Sequence, residues 1–274
     1  MLTSVTSISL DKAFMKSLTS KDNPQYRELK QLASSSAARR KSGQSVLDGI
    51  HLCQSYLEHI DVPLLCVVSE ASQHHPEVAA IMGECERRGG ECLLLTDSLF
   101  HPLSQVENGI DILFLIVTPV HEDCPELTQT GVLLDRIQDP GNLGSILRSA
   151  AAAGIRQVFC SPGTAAVWSP RVLRAGMGAH FLLEVFEDVS LEKLIETAKI
   201  PVIATTPYTK KTIYDFDLNR PVAWLLGHEG RGVDERLMVM ASDKLVIPHM
   251  GAMESLNVAA CAAVCFFEQV RQCR

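Results

Sequence analysis

Short apolar runs alternate with stretches whose apolar residues recur at helical spacing along most of the chain. In the first 118 residues, "LLCVVS", "ECLLLT" and "GIDILFLIVTP" read as strands and "PEVAAIMGECERRG" as a helix, while "SVLDGIHLCQSYLEHI" reads as a strand running into a helix. Residues 1–45 read as a polar arm followed by a helix in "NPQYRELKQLA", where Leu29 and Leu32 fall in helical spacing. "PVHEDCPELTQT" (119–130), with two prolines, three acids and little apolar content, reads as a linker. Beyond it, strands are predicted in "GVLLDRI", "IRQVFCS", "FLLEVF", "PVIATT", "PVAWLLG" and "KLVIP", with helices over 144–153, 170–178, 190–199, 233–241 and 255–270. Strands this short and this uniformly apolar are buried on both faces, which predicts a parallel sheet with helices on either side. The expected architecture is therefore α/β throughout: a smaller unit over 1–118, a linker over 119–130 and a parallel-sheet unit over 131–274.

Composition supports that picture. Hydrophobic residues make up 46% of the 274 and aromatics only 5%, which suits Ala/Val/Leu packing of helices on sheets rather than a β-sandwich. The N-terminus lacks the basic start and apolar core of a signal peptide, and no apolar stretch reaches membrane-spanning length. Nine cysteines without a C-x-x-C pair point to buried reduced thiols rather than zinc or disulfides, and hence to the cytosol.

The net charge of −7 would argue against a nucleic-acid partner, but its distribution changes the reading. Residues 1–41 hold eight Lys/Arg against three Asp/Glu, residues 42–130 hold two against fourteen, and the remainder is balanced. The basic cluster "YRELKQLASSSAARRKSG" places Arg27, Lys30, Arg39, Arg40 and Lys41 close enough to contact phosphates, or else to form a solvated helix face.

Three loops of the second unit follow predicted strands, where open α/β sheets bind ligands. The first is "DPGNLGSILRSAAAAG". Leu143, Leu147, Ala150 and Gly154 mark its buried face, Asn142 or Ser145 is placed to cap the helix, and Arg148 falls off the apolar stripe. The second is "WLLGHEGRGVDERL" and the third "VIPHMGAMESLNVAACAAVCFFE". Each alone is compatible with an ordinary glycine turn. A nicotinamide-dependent oxidoreductase would need G-x-G-x-x-G and an acid after the next strand, and neither is present.

Together, "DPGNLGSILRSAAAAG", "LLGHEGRG" and "IPHMGAMESLNVA" resemble the three ordered motifs of the SpoU/TrmH RNA 2′-O-ribose methyltransferases, of the SPOUT class. The first unit is similar to that family's substrate-binding domain through "TSKDNPQYRELKQLASSSAARRKSGQSVLDGIHL", with Asp48-Gly49 where Glu-Gly is commoner. The resemblance implies a C-terminal trefoil knot and S-adenosyl-L-methionine as cofactor, contacted by Gly227, Ile247 and Leu256, with Thr205 lining the same pocket. It implies an acceptor side built around Asn142 and Arg148, with Glu229, Ser255 and Asn257 orienting them; for Glu229 and Asn257 the alternative is bracing of the loops. The family's arginine is proposed to assist removal of the 2′-OH proton. Because a guanidinium stays charged at neutral pH, Arg148 is better read as gripping a phosphate and stabilising the developing alkoxide. No metal is implied, and His228 and His249 read as packing or surface residues. The implied partners are RNA, with ribosomal RNA favoured over tRNA, and a second copy of the chain, joined through the C-terminal domain by the apolar surface of the last helix (Val258, Ala259, Ala262, Ala263, Cys265, Phe266, Phe267). A catalytically silent RNA-binding or assembly protein of the same fold is the other reading.

Overall fold

The structure is a computed structural model that describes residues 15–106, 109–121, 123–253 and 255–274. The chain divides into two compact units, the first closing at Val117 and the second running from Thr118, with the short segment Glu58–Ile60 grouped with the second. Residues 1–14 of the expected polar arm lie outside the described residues.

The first unit holds β1 (Met15–Leu18), α1 (Pro24–Ser34), α2 (Ser36–Ser42), β2 (Gln44–Asp48), α3 (Ile50–His59), β3 (Leu65–Ser69), α4 (Pro76–Arg87), β4 (Cys92–Leu95), α5 (Asp97–Phe100) and β5 (Ile112–Val117). Its sheet order is β1-β4-β3-β5-β2, with β1, β4 and β3 parallel and β5 antiparallel to both its neighbours. Strand β1 was not foreseen. Only Leu18 of its four residues is buried, so it carries almost no apolar signal and forms because β4 offers an edge. Tyr26, Leu29 and Leu32 of α1 pack with Leu65, Val67 and Leu93 in the core. Asn23 caps α1 through Gln25 N, and Ser35 caps α2 through Ala38 N. Asp48 closes β2 by accepting from Ser104 Oγ at 3.0 Å and Gln105 N at 2.8 Å, and Gly49 turns the chain at φ +99°. That pair is thus a structural device here, with a carboxylate gripping a loop and a glycine where φ is positive.

The second unit holds β6 (Gly131–Asp135), α6 (Pro140–Ala152), β7 (Gln157–Cys160), α7 (Pro170–Gly176), β8 (Glu184–Phe186), α8 (Leu191–Glu196), β9 (Val202–Thr205), β10 (Ala223–Gly227), α9 (Glu235–Met240), β11 (Asp243–Leu245) and α10 (Val258–Gln272). Six strands in the order β11-β9-β10-β6-β7-β8 run wholly parallel, which collects every strand's carboxyl end on one edge. The two central strands, β6 and β10, are buried along their full length. The stretch over 119–130 has no regular structure in its described residues, but Leu127 is fully buried in the core beside Leu133 and Phe159. One leucine among acids is enough to seat it.

Two helix starts differ from the sequence reading. Helix α6 begins at Pro140 rather than 144, because Asp139 is the cap: its Oδ1 accepts from Asn142 N at 2.8 Å. Neither Asn142 nor Ser145 caps, and Gly154 is exposed beyond the helix end at φ +78° while Gly144 and Ile146 complete the buried face. A Cβ on Gly144 would sit 2.6 Å from Val172 O, so glycine there lets α7 lie directly against α6. Helix α10 begins at Val258, with Asn257 Oδ1 accepting from Ala259 N at 2.9 Å and Ala260 N at 3.3 Å. Its buried face is Ala262, Cys265, Phe266, Glu268 and Gln269, and Gln269 accepts from the buried Trp224 indole at 2.9 Å. Phe267 stays exposed.

Candidate active site at the carboxyl ends of the parallel strands

The floor of the site is an ion network that the sequence reading missed. Asp135 ends β6 almost fully buried, and Arg136, held at φ +54°, turns back to bond it from Nε at 2.9 Å and from Nη2 at 3.1 Å. Arg136 also reaches Asp234 at 3.2 Å, and Asp234 N donates to Asp135 Oδ2 at 2.8 Å. Ser161, just after β7, accepts from Arg136 N at 2.9 Å. The ends of β6, β7 and the turn after β10 are thereby fastened together. A buried carboxylate is tolerable only with such partners. The available signal was "GVLLDRI", where an acid and a base interrupt an otherwise apolar strand.

Above this floor, the three motifs are wired to one another. The Glu229 carboxylate accepts from Gln138 N at 3.2 Å, Asp139 N at 3.0 Å and Asn142 Nδ2 at 3.1 Å. Asn142 in turn accepts at Oδ1 from Asn257 Nδ2 at 2.8 Å. Desolvation pushes the Glu229 carboxyl upward, but the donations from Asn142 and from the backbone of Asp139 and Gln138 outweigh it and hold it below the ordinary glutamate value. The direction of each amide follows: Asn142 must donate to the carboxylate, so its oxygen faces Asn257, whose own oxygen caps α10.

Gly227, the last residue of β10, is explained before any ligand is considered. The turn through His228–Gly232 folds back over it, and a Cβ there would overlap the backbone of Gly232 and Val233. Gly232 N donates to His228 O at 2.8 Å, and Gly230 N donates to His228 Nδ1 at 2.9 Å, so His228 braces this turn. Its smallness is thus required by the turn itself, whatever its backbone contacts.

The remaining predicted residues line the same edge. Thr205 ends β9 half-buried and pairs in register with Leu245 at the end of β11. Ile247 is half-buried just beyond, and Leu256 is partly exposed. Ser255 is exposed. Arg148 is exposed on α6, and among the described residues its guanidinium has no hydrogen-bond or ion-pair partner. Asn142, Glu229 and Asn257 bond one another, whereas among the described residues neither Arg148 nor Ser255 is bonded to them.

In the first unit, the basic residues divide. Arg27 pairs with Asp22 at 2.8 Å on the surface. Arg39 donates to Leu32 O at 2.7 Å and Ala33 O at 3.4 Å, closing the carboxyl end of α1, and partial burial lowers its pKa. Lys30, Arg40 and Lys41 are exposed, with side chains that have no partner among the described residues. Among those residues, too, no group of three or more His, Cys, Asp or Glu could hold a metal ion, and no helix is long and apolar enough to cross a membrane.

The sequence pattern of the SpoU rRNA Methylase family matches residues 129–267. An uncharacterized tRNA/rRNA methyltransferase of Synechocystis sp. is 31% identical over 264 residues, covering 93% of this chain and 94% of that one. A 23S rRNA (guanosine(2553)-2′-O)-methyltransferase of Bacillus subtilis is 28% identical over 253 residues, covering 91% and 97%. The crystal structure of an AdoMet-bound rRNA methyltransferase from Sinorhizobium meliloti superposes with a TM-score of 0.82 at 25% identity, covering 94% of this chain and 98% of that one. The chain belongs to the SpoU rRNA methylase family.

Proposed function

We infer that this protein transfers the methyl group of S-adenosyl-L-methionine to a ribose 2′-hydroxyl of ribosomal RNA. The observation that carries the reading is the relay Asn142–Glu229–Asn257, which locks the three motif loops together beside an arginine left without a partner. The residues proposed for the cofactor fit its chemistry. Thr205, Gly227, Ile247 and Leu256 offer backbone groups at strand ends and partly exposed apolar side chains, a setting for an uncharged adenine rather than a phosphate. Bound there, the cofactor would supply an electrophilic methyl on a sulfonium whose sulfur departs as a neutral thioether.

The protein's own task is alignment and charge. Arg148 grips a phosphate next to the acceptor ribose through two parallel N–H donors and stabilises the alkoxide that develops as the 2′-hydroxyl proton passes to solvent water. The relay holds the amino end of α6, and so the helix that carries Arg148, in one position. Ser255 lies on the loop leading into α10 and contacts the acceptor. Lys30, Arg40 and Lys41 bind RNA phosphates in the first unit, with Arg39 shaping the helix pair that presents them. The chain works in the cytosol as a homodimer, with the exposed Phe267 on α10 meeting its counterpart, and its C-terminal domain carries the trefoil threading of its family.

The test is tritium transfer from labelled cofactor to unmodified ribosomal RNA transcripts, with tRNA as the competing acceptor. Label in ribosomal RNA supports the reading. Cofactor binding without transfer to either RNA would favour a catalytically silent assembly protein instead.

A further inference from the structure

One strand-end loop remains unused. Residues 206–212 follow β9, the strand beside β10, at the edge where the relay lies. The loop is held by its own bonds: Tyr208 N donates to Thr206 Oγ1 at 3.3 Å and Lys211 N to Thr209 Oγ1 at 3.3 Å. It is stitched to the segment after β11 as well, by Thr206 N to Leu245 O at 3.0 Å, Val246 N to Lys211 O at 2.9 Å and Ile213 N to Val246 O at 3.0 Å. Lys211 is spent locally, paired with Asp243 at 2.5 Å and lying over the Phe216 ring at 4.5 Å. What this fixed loop presents is Tyr208, whose side chain makes no contact that would explain it: the residue is 94% exposed. Two residues on, the exposed Lys210 has no partner among the described residues.

A large aromatic ring placed in water on a rigid loop, with a free cation beside it, matches the two elements that hold single-stranded nucleic acid: a π-face for a base and a positive charge for its phosphate. Adjacent strands lie about 4.8 Å apart, so the loop after β9 flanks the loop after β10, which carries Glu229. We propose that Tyr208 is a stacking platform for an unpaired RNA base neighbouring the methylated nucleotide, with Lys210 on the adjoining phosphate. Stacking one flanking base on Tyr208 would hold a single strand across the site without reading the base's identity. The proposal rests on the RNA methyltransferase reading and assigns Tyr208 a positioning role.

The experiment compares Tyr208→Ala, Tyr208→Leu, Tyr208→Phe and Tyr208→Trp. Ribosomal RNA transcripts serve as substrate for methyl transfer, a 2-aminopurine-containing oligoribonucleotide as a stacking probe, and calorimetry measures cofactor affinity. Because the side chain is exposed, the substitutions leave the fold intact. The Ala and Leu variants should raise KM for RNA roughly tenfold and abolish quenching of 2-aminopurine, while Phe and Trp stay within about twofold of the parent. Cofactor affinity and oligomeric mass should not change. Leu matching the parent would overturn the proposal, because it would show that bulk and not a π-face is needed. Cofactor affinity falling in step with KM would assign the ring to the adenine, and a change in oligomeric mass would assign it to a subunit contact; either result overturns it. Should the parent protein transfer no methyl, the enzymatic reading fails, while the quenching series still decides whether Tyr208 stacks on RNA.

Discussion

Arg136 and Arg148 stand twelve residues apart on either side of one loop, and the fold treats them in opposite ways. Arg136 is locked by the buried Asp135 and by Asp234, in a backbone conformation that non-glycine residues rarely adopt. Arg148 projects from α6 with no partner among the described residues. The same contrast separates Glu229, whose carboxylate is supplied by three donors, from the exposed Ser255. Polar groups satisfied within the chain build the site; those left unsatisfied at its rim are the ones available to RNA. That division predicts which substitutions should damage the fold and which should damage only the reaction.

The largest effect should come from the unsatisfied side. Arg148→Ala should reduce methyl transfer by about two to three orders of magnitude, with cofactor affinity within about threefold and an unchanged melting temperature. Arg148→Lys should fail comparably, since a point charge does not reproduce a planar two-point grip. A matching loss of thermal stability in either variant would blur the division.

Next is Gly227→Ala, on the satisfied side. The added methyl meets backbone rather than a movable side chain, so the protein should lose about 3 kcal/mol or more in denaturant unfolding, and cofactor binding with it. Unaltered stability with lost cofactor binding would mean that this glycine is small for the ligand's sake rather than the turn's.

Glu229→Gln should be milder. One acceptor oxygen is replaced by a donor facing backbone N–H groups, at a cost of about 1–2 kcal/mol, and transfer should fall roughly tenfold as the loop loosens. The pH dependence has a fixed sign. The folded-state pKa of Glu229 is depressed, so its stabilising contribution is complete above the ordinary value of 4.5 and is lost as pH falls toward the lower folded-state value. The gap in melting temperature between parent and Glu229→Gln should therefore be widest near neutrality and close on acidification below about 4.5. A gap independent of pH would mean that the carboxylate's charge contributes nothing.

The smallest effects belong to the basic arm. Neutralising Lys30, Arg40 and Lys41 together should reduce the salt slope of RNA binding by roughly two, without changing cofactor affinity or stability. Arg39→Ala should instead cost about 1 kcal/mol of stability, since it removes donors to the carbonyls that end α1. Equal behaviour of the two variants would erase the distinction between a capping arginine and a phosphate-facing one.

Much of this was legible in the chain. The parallel strands were visible because most of them lie in short apolar runs, although β11 falls on Asp243–Leu245, at the polar start of the "KLVIP" run, and the three motif loops because glycine and asparagine cluster after those runs. Strand β1 was not visible, since one buried leucine among exposed residues has no periodicity to detect. The cap of α6 was misplaced because "DPGN" offers Asp139 and Asn142 as equally good capping residues, and only the fold shows that Asn142 is engaged with Glu229 and Asn257. The Asp135–Arg136 pair is adjacent and left its trace in "GVLLDRI", but its bonds to Asp234 span 98 and 99 positions, and no local pattern reports those. The packing of the turn over Gly227 was not legible either, because a close approach by the chain's own backbone and one by a ligand leave the same residue in the sequence.

The most direct measurement of the central claim is chemical identification of the product. Ribosomal RNA labelled by the parent protein and tritiated cofactor is digested to nucleosides and separated, alongside a reaction with Arg148→Ala and one with a substrate carrying 2′-deoxyribose at the mapped position. The account predicts label in a single 2′-O-methylnucleoside, reduced by at least about a hundredfold with Arg148→Ala and absent from the deoxy substrate. Label on a base, or full labelling with either altered partner, would contradict it.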